Sequence, residues 1–220
     1  MGQWIELQVG EAPVKAWSAT PPSTPRAGLI VIQEIFGANA HIRDLADRFA
    51  ARGYAVLAPA FFDPVQRDVE LPYDADSHAK GRELAGQLGM DRALDIVRAA
   101  AAELTPAGKV GTVGYCWGGT VAFLSAVRLG LPSVSYYGAR NVPFLDEPLH
   151  APVMFHFGEH DTLISPEMVQ QHRDKLPRSD IFTYPAGHAF NRDVDPQVHS
   201  AHAAEMALER TLAFFDAQLR

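Results

Sequence analysis

At 220 residues and 24.0 kDa the chain is long enough to bury about 70% of its unfolded surface, and a single domain spanning 1–220 is expected. Hydrophobic residues at 47% against 20% charged exclude a disordered chain. The formal charge of −7 supplies no basic field for nucleic acid or anionic lipid, and no apolar run approaches the length of a membrane span.

The opening MGQWIELQVG carries neither a basic n-region nor an apolar h-region, so a soluble, cytoplasmic chain is expected. From Trp4 to Ser18 the pattern predicts a strand pair, with Ile5, Leu7 and Val9 alternating and Val14 to Trp17 following a break at Pro13. Residues 19–25 form a Pro-rich loop. Gly28 to Ile32 is a short continuous apolar run, the signature of a strand buried on both faces of a parallel sheet. Ile42, Leu45, Ala46 and Phe49 fall at helical spacing, with Gly53 as the stop, and Tyr54 to Ala58 is the next strand. The polar stretch from Asp63 to Ser77 has no clean period and is expected to be a surface loop or lid. Helical spacing returns from about Lys80 to Leu104, interrupted near Gly89.

Val110 to Tyr115 is the next strand, followed by Cys116-Trp-Gly-Gly119 and a helix from about Thr120 to Leu129. Strands are further expected at Ser133 to Tyr137, Val153 to Phe157 and Ile181 to Tyr184, and helices at about Pro166 to Lys175 and Gln197 to Ala217. Strands alternating with helices predict an α/β fold: a mostly parallel sheet covered by helices on both faces, in three layers.

Gly114-Tyr-Cys116-Trp-Gly118 has the form G-x-nucleophile-x-G between a strand and a helix, a nucleophile elbow with Cys in place of Ser. Such a turn presents the thiol at a helix N-terminus, where the dipole favours thiolate. Cys116 is the only cysteine, which leaves no internal disulfide and no Cys-rich zinc framework. The bland reading of a lone cysteine is a small buried hydrophobe. Against it, Gly158-Glu-His-Asp161 and Pro185-Ala-Gly-His188 follow two later strands, so Cys116, Asp161 and His188 stand in the chain order of an α/β-hydrolase triad. Taken singly, Asp161 reads as a turn carboxylate and His188 as a loop histidine. As a group they assign Cys116 as nucleophile, His188 as proton carrier and Asp161 as the group that orients the imidazole.

The segments Gln33-Glu-Ile-Phe-Gly37, Asn39-Ala-His-Ile-Arg-Asp44, Gly114-Tyr-Cys-Trp-Gly-Gly119, Asp161 after Gly158, and Ala186-Gly-His188 together resemble the dienelactone hydrolase family. The likeness runs from about Ala27 to the C-terminus. It implies an α/β-hydrolase fold and hydrolysis of an ester or lactone through an acyl-cysteine, most concretely dienelactone hydrolysis in the degradation of aromatic compounds. For Glu34 the resemblance implies a carboxylate beside the thiol that helps to deprotonate it; alone, Glu34 would read as an ion pair with a surface arginine. The oxyanion hole implied is the backbone N–H of Trp117 and of Ile35. The resemblance also implies that Arg192, four residues after His188, binds a substrate carboxylate, where the bland reading is an exposed arginine. A second substrate arginine of that family aligns with Tyr73, with Arg67 and Arg82 only nearby, which leaves a different ester or lactone as the alternative substrate. Phe36, Tyr137 and Trp117 are candidate pocket walls.

His156 and His160 straddle a strand end and do not read as a zinc pair. His199 and His202 read as a solvated helix face. No metal or organic cofactor is expected, and the partner expected is a small ester or lactone bearing a carboxylate, with neither nucleic acid nor membrane, for a monomer or weak homodimer. From another class, a non-catalytic thiol sensor is weakened by the lack of a resolving cysteine.

Overall fold

The computed structural model describes residues 2–10 and 12–220. They fall into two compact units, one of residues up to 112 with 219–220, the other of residues 113–218.

In the first unit β1 (Gln3–Val9) and β2 (Ala12–Ala19) form an antiparallel hairpin with Leu7 opposite Val14. Pro13 lies inside β2 instead of breaking it, opposite Gln8 near the strand's beginning. β2 continues antiparallel onto β4 (Tyr54–Pro59), which lies parallel to β3 (Ala27–Ile32), so that the order is β1-β2-β4-β3-β5, the last being Val110–Tyr115. Every residue of β3, β4 and β5 is buried, which is why their sequences are apolar runs without alternation. α1 (Ala40–Ala51) starts at Asn39, whose side chain accepts from Ile42 N–H at 3.2 Å, and it buries Ile42, Leu45, Ala46 and Phe49. Fully burying Ile, Leu or Phe side chains stabilises by about 1.5–3 kcal/mol each.

α2 (Ala75–Leu104) begins about a turn earlier than its apolar spacing indicates, because Asp74 caps it by accepting from Ser77 N–H at 2.8 Å. It breaks at Gly89, whose φ of 74° only glycine adopts at little cost. The segment between β4 and α2 is a loop, but an anchored one. Asp63 accepts from Lys15 N–H at 2.8 Å, Leu71 N–H donates to Phe36 O at 2.9 Å, and Phe61, Phe62 and Val69 are buried.

In the second unit the order is β5-β6-β7-β8, with β6 (Ser133–Tyr136), β7 (Val153–Gly158) and β8 (Asp180–Tyr184) parallel. α3 (Trp117–Arg128) packs on β6, and α5 (Ala201–Gln218) on β7; α4 (Pro166–Lys175) is capped by Ser165. Two boundaries differ from the sequence reading. α3 starts at Trp117 rather than Thr120, since the glycines that look helix-breaking form its first turn. α5 starts at Ala201, so His199 lies outside it; there Ser200 N–H and His199 Nδ1 both bond Phe190 O, holding the chain in a turn. The loops that follow β5, β7 and β8 carry Cys116, Asp161 and His188. Among the described residues no helix is long and apolar enough to cross a membrane.

Candidate active site

Cys116 sits between β5 and α3 with φ 55° and ψ −117°, a left-handed turn that L-residues adopt only under constraint. Two glycines make it possible. A Cβ on Gly114 would lie 1.9 Å from Gly118 O, and one on Gly119 2.5 Å from Tyr136 O, so neither position tolerates a side chain. Cys116 N–H donates to Tyr136 O at 3.0 Å and Cys116 O accepts from Gly119 N–H at 2.9 Å, which fixes the turn from both sides. The thiol thus stands at the positive end of α3, partly exposed. Trp117, the first residue of α3, has a backbone N–H with no acceptor inside its own helix.

Asp161 is buried, and both carboxylate oxygens are engaged: Oδ1 accepts from Leu163 N–H at 2.8 Å and Oδ2 lies 2.7 Å from His188 Nδ1. The turn carboxylate and the partner of His188 are therefore one and the same group. The two loops are tied together, since His160 N–H donates to Ala186 O at 3.0 Å and a Cβ on Gly158 would meet that oxygen at 2.4 Å. Burial pushes the His188 imidazole toward neutrality, but the hydrogen bond to Asp161 and the hydrogen-bonding capacity and charge of Cys116 outweigh it and raise its pKa to about 10. His188 Nε2 is buried and makes no hydrogen bond of ordinary geometry among the described residues. An imidazolium beside a thiol whose proton it can hold is the arrangement that generates a thiolate nucleophile.

Tyr137 is fully buried, with φ 39°, and its ring centroid lies 5.0 Å from that of His188 and 5.3 Å from that of Phe190. Arg192 is 4% exposed, so it is not the surface arginine of the bland reading; its Nη1 lies 3.3 Å from Asp195 Oδ2.

Residues 14–219 match the family model of the dienelactone hydrolase family. The chain belongs to the dienelactone hydrolase family. A carboxymethylenebutenolidase of Cupriavidus pinatubonensis is 30% identical in an alignment of 203 positions that covers 87% of this chain and 86% of that protein. A Synechocystis protein provisionally named carboxymethylenebutenolidase is 32% identical in an alignment of 216 positions that covers 87% of this chain and 86% of its own. The crystal structure of a Klebsiella pneumoniae protein provisionally named a dienelactone hydrolase superposes with a TM-score of 0.87 at 28% identity, over 98% of each chain. The fold is that of the α/β-hydrolase superfamily, and the chain is a carboxylic ester hydrolase.

The family's Q-E-I-F-G segment lies in the first unit, after β3. Gln33 braces it, accepting from Phe61 N–H at 3.0 Å through Oε1 and donating to Glu34 O at 3.2 Å through Nε2. Glu34 is 1% exposed, so its carboxylate lies inside the first unit and not at its surface. Ile35 is buried, with α2 so close that a Cβ on Gly81 would fall 2.1 Å from Ile35 O. Phe36 and Tyr73 are brought together edge to face at 4.7 Å, and Tyr73 Oη accepts from Asn39 Nδ2 at 3.0 Å. Arg67 pairs with Glu6 at 3.3 Å, and both Arg67 and Arg82 are exposed. Among the described residues no group of three or more His, Cys, Asp or Glu could hold a metal ion. His156, which the sequence offers only as half of an improbable zinc pair, is buried in β7; its one other signal is a polar residue at a core strand position.

Proposed function

We propose that the chain hydrolyses a lactone or ester of the dienelactone type through an acyl-Cys116 intermediate. The observation that carries this reading is the hydrogen bond from His188 Nδ1 to Asp161 at 2.7 Å, in a histidine whose pKa is raised jointly by Asp161 and Cys116. His188 holds the thiol's proton, and the Cys116 thiolate adds to the carbonyl carbon, forming a C–S bond as the carbonyl electrons move to oxygen. The oxyanion is received by the Trp117 N–H at the head of α3, with Ile35 N–H as the second donor. Collapse breaks the C–O bond, and His188 protonates the departing oxygen, which in a lactone stays attached to the acyl chain. Water then attacks the thioester with His188 as general base, releasing the acid and restoring the thiol proton.

Glu34 and Ile35 enter this reading on the family motif alone, Glu34 as an assistant in thiol deprotonation. Arg192 enters as the recognition residue for a substrate carboxylate, with Phe36, Tyr73 and Tyr137 as apolar and aromatic walls. A second reading, a neutral ester substrate, is favoured by the pairing of Arg192 with Asp195 and by the absence of an arginine at Tyr73.

The test is kcat/KM for a carboxylate-bearing dienelactone beside a neutral aryl ester, in wild type, Cys116→Ala and Arg192→Ala. The proposal expects the dienelactone to be preferred, Cys116→Ala to abolish both activities, and Arg192→Ala to raise KM for the dienelactone alone. A preference for the aryl ester would replace the substrate, and an active Cys116→Ala would remove the mechanism.

A further inference from the structure

Beneath the triad, the second unit buries a chain of polar side chains that the chemistry above does not use. Arg210 Nη1 on α5 donates to the Tyr184 hydroxyl at 3.0 Å, and that hydroxyl lies 2.8 Å from His156 Nδ1. On the other side of the ring, His156 Nε2 lies 3.1 Å from Thr211 Oγ1, which is 2.8 Å from the Tyr136 hydroxyl. His156, Thr211 and Tyr136 are fully buried. Apolar side chains would fill this space without the need to satisfy each polar atom, so a completed network inside a core is a specifying device.

Arg210 gives the network its direction. A guanidinium only donates, so the Tyr184 oxygen accepts from it, and the nearby cation favours release of the phenolic proton toward His156 Nδ1. The proton of the neutral ring then stands on Nε2 and is donated to Thr211. Burial pushes the His156 imidazole down to about 3, and the charge of Arg210 adds to that. The other titratable groups facing it are Tyr136 from β6 and Tyr184 from β8, whose phenols burial holds above their usual range. The ring is therefore neutral throughout the ordinary working range.

The same residues hold the triad loops through their main chains. Tyr136 O accepts from Cys116 N–H at 3.0 Å. His156 O accepts from the N–H of Tyr137 at 2.8 Å, and the Tyr137 ring packs at a tilt against that of His188. Tyr184 O accepts at 2.8 Å from Glu159 N–H, in the loop that carries Asp161. The network thus reaches the Cys116 and Asp161 loops by one main-chain bond each, and the His188 loop through Tyr184 O, which also accepts from Ala186 N–H at 2.7 Å, and through the Tyr137 ring.

We propose that His156 is a positioning residue: held as the neutral Nε2–H tautomer between Tyr184 and Thr211, it fixes α5 against the ends of β6, β7 and β8 and so sets the spacing within Cys116, His188 and Asp161. The inference rests on the triad reading above. It is tested by titrating reactive Cys116 with a thiol alkylating agent in His156→Phe, His156→Gln, Tyr184→Phe and Thr211→Val, then measuring kcat and KM per titrated site. Misplacement of reacting groups by about 1 Å costs about 100-fold. His156→Phe is expected to lose about that much in kcat with KM within about twofold, and Thr211→Val or Tyr184→Phe about 10-fold. His156→Gln, which can still accept at one end and donate at the other, regains part of the loss. Where His156→Phe fails to fold, the two hydroxyl deletions decide. A kcat per site within about twofold of wild type in those deletions, even with a lowered Tm, overturns the positioning role. Nitrogen-15 spectra of wild type at pH 7 are expected to show Nδ1 unprotonated, and a proton there would overturn the assigned direction. Cys116→Ala measured in parallel separates the two claims: if it is inactive while Thr211→Val is unaffected, only positioning fails, and if it turns over like wild type, the triad itself fails.

Discussion

Two histidines in the same unit, the half-buried His188 and the fully buried His156, are driven in opposite directions from the same starting value of 6.5, one to about 10 and the other to about 3. Burial disfavours the cation in both. The difference lies in the partners: His188 faces the Asp161 carboxylate and Cys116, whereas His156 faces hydroxyls and, beyond them, the Arg210 cation. Hydroxyls satisfy an imidazole's hydrogen bonds without stabilising its charge, and a carboxylate does both. That distinction separates a group that can move a proton during turnover from one that can only hold a shape.

Removing the anion from the His188 side should abolish the contrast. Asp161→Asn is expected to lower kcat by about 10³- to 10⁴-fold, because the amide no longer fixes the required tautomer or supports the imidazolium. The same variant should bring the His188 titration down toward its ordinary value, read by proton NMR. Gly114→Ala acts on the other partner. Its Cβ would lie 1.9 Å from Gly118 O, so the elbow must shift and carry the sulfur with it. A loss of about 4 kcal/mol or more in urea unfolding is expected, and a loss under about 1 kcal/mol would show that the turn accommodates a side chain.

The pH dependence of stability sharpens the comparison, because the two windows lie on opposite sides of neutrality. For His188 the folded state keeps a proton that the unfolded chain releases between 6.5 and about 10. Its contribution is complete below 6.5 and is lost as the pH rises through that window. For His156 the unfolded chain takes up a proton between 6.5 and about 3 that the folded state refuses, so its contribution is complete above 6.5 and is lost as the pH falls. Each effect is on the order of a few kcal/mol, and urea midpoints from acid to alkaline pH measure both. Asp161→Asn should flatten the alkaline side alone, and His156→Gln the acid side alone. The smallest effect is expected from Arg210→Gln, which removes the lesser cause of the His156 shift: its titration should move upward slightly while that of His188 stays in place.

Much of this architecture is legible in the sequence because its causes are local. β3 and β5 are continuous apolar runs since both faces are covered, and α4 is bounded by the Ser165 cap and Pro166. The loops bearing Cys116, Asp161 and His188 are identifiable because each follows a short strand, β5 and β7 buried throughout and β8 half-buried at the sheet edge. Less legible were features that depend on distant partners. Thr211 lies 55 positions from the His156 it bonds, and no spacing rule connects them. Asp63 anchors the loop read as a lid through Lys15, 48 positions away. The apolar pattern places Tyr137 in the strand, but the strand ends at Tyr136 and Tyr137 turns out of it with φ 39°, bonded to His156 O and packed on His188, contacts that periodicity does not detect.

The most direct test of the central claim is mass spectrometry of the acid-quenched enzyme mixed rapidly with a carboxylate-bearing enol lactone. A covalent adduct with the mass of the whole lactone is predicted on the peptide containing Cys116, forming and decaying at rates consistent with turnover and absent from Cys116→Ala. Steady turnover by wild type with no adduct on Cys116, and the same rate in Cys116→Ala, would contradict it.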